Sequence, residues 1–108
     1  MIDWDRVAEL KQTIGTSAFA EVVTLFLDEA DQSVAGLGDA STAGQMQAAF
    51  HALKGTALTL GFTDLSEIAR SCESRAESGD TDLPLAEVQA VYTRSRAAFV
   101  QQLPTLTA

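Results

Sequence analysis

The chain has 108 residues and is 46% hydrophobic, which suits one domain with a real core and speaks against disorder. Its 15 acidic residues against 7 basic ones give a formal net charge of −8, a field that repels phosphate backbones and anionic lipid, so no nucleic acid and no membrane is expected as a partner. With a single cysteine (Cys72) and a single histidine (His51), the chain has neither an internal disulfide nor a Cys/His metal set, and a cytoplasmic protein with no cofactor and no bound metal is expected.

The opening Met1-Ile2-Asp3-Trp4-Asp5-Arg6 puts acids where a signal peptide carries bases, and no run approaches the about 18 apolar residues of a membrane span. A short first helix is predicted from Trp4 to Ile14, with Ile2, Val7, Leu10 and Ile14 at helical spacing and Gly15 after its end. Thr16 or Ser17 can cap a second helix from about Ser17 to Leu37, whose stripe is Phe19, Val22, Val23, Phe26, Leu27, Ala30, Val34 and Leu37. Gly36, Gly38 and Asp39 end it. Thr42-Ala43-Gly44-Gln45 matches a capping box that opens a third helix running to Gly61. Phe62 then staples a fourth helix, capped by Thr63 or Asp64, with Leu65, Ile68, Ala69, Cys72 and Ala76 inward, until Ser78-Gly79-Asp80 breaks it. A fifth starts near Pro84, uses Leu85, Val88, Val91, Tyr92, Ser95, Phe99 and Leu103, and ends at Pro104, with a frayed tail beyond. No alternating strand pattern interrupts these helices. Short connections make neighbours antiparallel, so the expected fold is all-α: an up-and-down antiparallel four-helix bundle with a short additional N-terminal helix, one domain over residues 1–108 with a bundle core of about 17–103.

The third helix carries the chemistry. A helix advances about 100° per residue, so Met46, Phe50, Leu53, Ala57 and Leu60 share one apolar face, while His51, Lys54, Gly55 and Leu58 lie opposite. A neutral imidazole, with a reference pKa of about 6.5, has a free ring nitrogen that can attack phosphorus or accept a proton. Lys54, one turn on, can place an ammonium beside an anion built on that ring, which favours a phosphohistidine over a proton shuttle. Gly55 costs roughly 0.5–1 kcal/mol relative to alanine inside a helix, and its missing side chain would let a second protein come close to the imidazole. The chain has no glycine-rich phosphate loop, so the phosphoryl group must come from another protein.

The run His51-x-Leu53-Lys54-Gly55-x-Ala57-x-x-Leu60-Gly61 resembles the centre of the histidine-containing phosphotransfer (HPt) domain family. Ile2-Asp3-Trp4 with Val7 and Leu10, Gly15, the Phe26-Leu27 region and the Leu65 to Glu73 helix extend the similarity over nearly the whole chain. The resemblance implies a phosphorelay carrier and not an enzyme: His51 accepts a phosphoryl group from a receiver-domain aspartate and passes it to another receiver. On that mapping Lys54 stabilises the phosphoryl charge and Gly55 clears room for the receiver. Glu73 occupies the place of the glutamate by which chemotaxis kinases of similar architecture hold the second imidazole nitrogen. Any Mg²⁺ would belong to the receiver. Thr56 and Leu58 depart from the commonest pattern, and Leu58 is read as an apolar anchor for the partner, with Ala52 beside it.

The expected partners are receiver domains of response regulators and hybrid histidine kinases, and the chain is expected to be a monomer. A rival is a non-phosphorylated adaptor that occludes a receiver or kinase, whose signalling would survive His51→Gln. A general-base enzyme would need a cleft at His51. Elsewhere, Cys72 reads as a core residue, Trp4 and Phe19 as packing for the first helix, and Asp28, Glu29 and Asp31 as a solvated helix face.

Overall fold

The computed structural model describes residues 2–107. It contains five α-helices: α1 (Trp4–Ile14), α2 (Thr16–Ala35), α3 (Ala43–Leu60), α4 (Thr63–Glu77) and α5 (Leu85–Thr107), with one 3-10 turn at Leu37–Asp39. The described residues form no strand; their only β-type pairing is an isolated bridge between Ile2 and Phe62. The molecule is elongated, 45 × 22 × 21 Å.

Local chemistry sets most helix ends. The Asp3 carboxylate accepts from the Arg6 amide at 3.1 Å to start α1, and Gly15, at φ 87°, turns the chain directly into α2. The expected capping box at α3 is present: the Gln45 amide donates to Thr42 Oγ1 at 3.1 Å, and the Thr42 amide donates to Gln45 Oε1 at 3.3 Å.

Four helix ends differ from the sequence reading. Gly15 is the N-cap of α2 and no Thr16 or Ser17 side chain caps it; the helix ends at Ala35, and Leu37 is buried from the 3-10 turn instead. Phe62, rather than Thr63 or Asp64, occupies the N-cap of α4, with no side-chain cap. Phe62 is fully buried with its ring edge-on to Phe99 at 5.4 Å; burying a phenylalanine is worth about 1.5–3 kcal/mol, more than the ~1 kcal/mol of a typical cap. Pro104 does not end α5, which continues to Thr107. Proline has no N–H to donate to the Val100 carbonyl one turn back, and Lys11 on α1 donates its ammonium to the Leu106 carbonyl in the last turn.

Packing joins α2 to α3 and α5, and α4 to α3 and α5, while α1 lies against α2 and α3. The core holds Phe19, Val23, Phe50, Leu53, Leu60, Phe62, Leu65, Val88 and Phe99, all within 1% of full burial, together with Cys72, whose thiol is pushed up in pKa by burial and is inert there. Trp4 stacks on Phe99 at 6.0 Å and remains 39% exposed.

Asp28 and Glu29 are exposed, as a solvated face requires, but Asp31 is not a free surface charge. Arg96 Nε and Nη2 donate to its two oxygens at 2.8 and 3.0 Å, and the Tyr92 hydroxyl donates to Oδ1, stapling α2 to α5.

Candidate functional site

The faces of α3 divide as periodicity requires. Phe50, Leu53, Ala57 and Leu60 are buried, whereas His51, Ala52, Gly55 and Leu58 are exposed and Lys54 is half-buried at the boundary. This orientation is anchored at the C-terminal end of α3. Gly61 adopts φ 75°, its carbonyl accepts from the Asp3 amide at 2.7 Å, and a Cβ at this position would stand 2.7 Å from the Asp3 carbonyl. Only glycine fits, and the α3–α4 turn is thereby fixed to the start of α1.

That turn returns α4 along α3 and brings Glu73 to His51. His51 Nδ1 lies 2.7 Å from Glu73 Oε2, and Lys54 Nζ donates to Glu73 Oε1 at 2.6 Å. The hydrogen bonds from Lys54 and then from His51 hold the Glu73 carboxyl below the usual carboxylate range, so it is ionised at neutral pH. An ionised carboxylate can only accept, so Nδ1 carries the proton and the lone pair of the neutral ring resides on Nε2. The His51 side chain is 71% exposed and that of Glu73 only 15%. The carboxylate is sheltered between the helices while the imidazole projects from a convex face, which gives an incoming reactant access to a nitrogen whose tautomer is set.

Gly55 is open as well: a Cβ there would meet nothing within 4 Å. No internal packing therefore demands a glycine at this position. Leu58, at 55% accessibility, stands one turn further along the same face. Thr56 belongs to the interior, 6% exposed, with its hydroxyl donating back to the Ala52 carbonyl at 3.3 Å.

His51, Lys54 and Glu73 thus form one contact group, with Ala52, Gly55 and Leu58 on the surface around it. The Lys54–Glu73 pair has no sequence signature, since no local signal couples residues 19 positions apart on two helices. No group of three or more His, Cys, Asp or Glu side chains among the described residues is placed to hold a metal.

A family model for the Hpt domain matches residues 21–105, which takes in α3, α4, most of α2 and nearly all of α5. The chain belongs to the Hpt domain family. No curated protein and no solved structure matches it. Hpt domains are carriers in phosphorelays: they exchange phosphoryl groups with receiver domains and have no kinase activity of their own. No helix among the described residues of this Hpt domain is long and apolar enough to cross a membrane.

Proposed function

We propose that this Hpt domain takes a phosphoryl group from a receiver-domain aspartyl phosphate onto Nε2 of His51 and delivers it to the aspartate of another receiver. The observation that carries this reading is the 2.7 Å contact between His51 Nδ1 and Glu73, which leaves the exposed Nε2 as the nucleophile. The Nε2 lone pair attacks phosphorus, an N–P bond forms, and the P–O bond to the aspartate breaks, returning a free carboxylate to the receiver. Nδ1 keeps its proton throughout, so the phosphorylated ring is cationic and Glu73 balances it. In the second transfer a receiver carboxylate attacks phosphorus and the N–P electrons return to Nε2.

Lys54 is positioned to move from Glu73 to the incoming phosphoryl oxygens, a shift that a side chain with three rotatable donors makes readily. Gly55 and Ala52 keep the approach low, and Leu58 supplies an apolar contact for the receiver. The convex, open setting of His51 favours a carrier over an enzyme with an enclosed substrate pocket. The retained Lys54, Gly55 and Glu73 around the histidine favour transfer over the non-phosphorylated adaptor.

The whole chain is one such domain on this reading, a cytoplasmic monomer. Helices α2–α5 form an up-and-down antiparallel four-helix bundle closed at one end by α1; the short connections and the closed circuit of contacts α2 to α3 to α4 to α5 to α2 support it.

Incubation with a radiolabelled phospho-receiver tests the function. An acid-labile, base-stable label should appear on the wild-type protein and be absent from His51→Gln. Label retained by the variant would refute the assignment.

A further inference from the structure

Beside the His51 group, a groove of about 260 Å³ runs between α3 and α4, lined by Lys54, Leu58, Ser66, Glu67 and Arg70. Leu58 and Ser66 also line a second groove of about 340 Å³, which reaches Arg6 and Asp3 on the α1 side. Exposed Leu58 is therefore an apolar ridge with a cation on each flank.

The two flanking arginines, Arg6 and Arg70, differ. Arg6 pairs with Glu9 at 3.8 Å, and Lys54, Arg75 and Arg96 are likewise paired with carboxylates. Arg70 makes no ion pair or side-chain hydrogen bond among the described residues, although Glu67 stands one turn before it on the same groove wall. In a molecule of net charge −8, an exposed and unpaired guanidinium beside the candidate site is a local exception to a field that repels acidic partners. Its planar fork of donors matches a carboxylate in bidentate fashion. The travelling phosphoryl group is not the natural occupant, since His51 does not line this groove.

We propose that Arg70 is a specificity-determining residue: the groove receives a carboxylate side chain from the docking face of the receiver, held by Arg70, while a neighbouring aliphatic side chain rests on Leu58. The domain then selects receivers that present an Asp or Glu beside an aliphatic residue at this position. The assignment rests on the reading of His51 as phosphoacceptor and adds the partner chemistry that this reading leaves open.

The test uses purified receiver domains of the source organism, each charged with acetyl phosphate, and carries forward the one that labels the wild-type chain fastest. Transfer kinetics are then measured for wild type, His51→Gln, Arg70→Ala, Arg70→Glu and Arg94→Glu. Arg94 is exposed on α5, and its substitution changes net charge by the same amount as Arg70→Glu. Arg70→Glu should raise KM for the phospho-receiver roughly tenfold or more with kcat within about twofold, Arg70→Ala should raise it less, and Arg94→Glu should leave KM within about twofold of wild type. Equal effects of Arg70→Glu and Arg94→Glu, or His51-dependent labelling indifferent to Arg70, would overturn the groove assignment alone. Failure of every receiver to label wild type, or label surviving in His51→Gln, would overturn the phosphoacceptor reading and the groove assignment with it.

Discussion

At Gly55, helix stability and access to His51 make opposite demands. A glycine inside α3 sacrifices about 0.5–1 kcal/mol relative to alanine, and open space surrounds the position. Gly55→Ala should therefore raise stability by about that amount in a denaturant titration, whereas Gly55→Leu should hold helix content and slow transfer from a receiver by roughly tenfold or more. Unchanged transfer in the leucine variant would show that clearance is not what the glycine provides. Glu73 makes a different demand. Its carboxylate fixes the Nδ1–H tautomer and holds Lys54, so Glu73→Gln, which can still accept from Nδ1, should retain more transfer than Glu73→Ala, with the alanine variant slowed roughly five- to tenfold. Equal rates in the two variants would remove the tautomer argument. The outward face of His51 could be read from the 3.6-residue period, because Phe50, Leu53, Ala57 and Leu60 leave it one direction to point. The sharing of one carboxylate by His51 and Lys54 could not, since it depends on how far α4 slides along α3.

Among the elements, the α3–α4 turn sets that slide. Gly61 combines a left-handed backbone with a 2.7 Å approach of any Cβ to the Asp3 carbonyl, so Gly61→Ala should destabilise the fold by about 1–3 kcal/mol, seen as a lower denaturation midpoint. A midpoint equal to that of wild type would contradict the clamp between α1 and the turn. The α2–α5 contact depends on Asp31, Tyr92 and Arg96 in the same way. Burial, with Asp31 alongside, pushes the Tyr92 hydroxyl above the ordinary phenol range, so it remains a donor, and Tyr92→Phe should cost about 0.5–1.5 kcal/mol in the same titration. Existence and order of the helices followed from apolar periodicity and from caps such as Thr42 with Gln45. The ends governed by tertiary contact did not: Phe62 displaces a polar cap because its ring is needed in the core, and α5 passes Pro104 because α1 reaches its last turn through Lys11. Asp31 read as solvent-facing because its partner Arg96 lies 65 residues away in the chain.

The whole molecule joins these contacts to pH. Asp31 is held below the ordinary carboxylate value by Arg96 and then Tyr92, Glu73 by Lys54 and then His51, and Asp80 by the Asp82 amide and then Arg75. Carboxyls with depressed folded values contribute stability that is complete above their unfolded pKa of about 4 and is lost as pH falls through the folded values. Thermal melts should therefore be flat in this respect above about pH 5 and fall steeply below about pH 4. Asp31→Asn should remove part of that acid slope, and a slope unchanged by this substitution would contradict its assignment. The same contacts carry the function, because the Glu73 oxygen that accepts from Nδ1 leaves Nε2 of His51 free. Long-range ¹H–¹⁵N NMR of the His51 ring, recorded before and after phosphorylation by a receiver, tests this most directly. The predicted spectra show Nδ1 protonated in both states and phosphorus coupled to Nε2 in the second; phosphorus on Nδ1, or a His51 ring left unmodified while the protein is labelled, would contradict it.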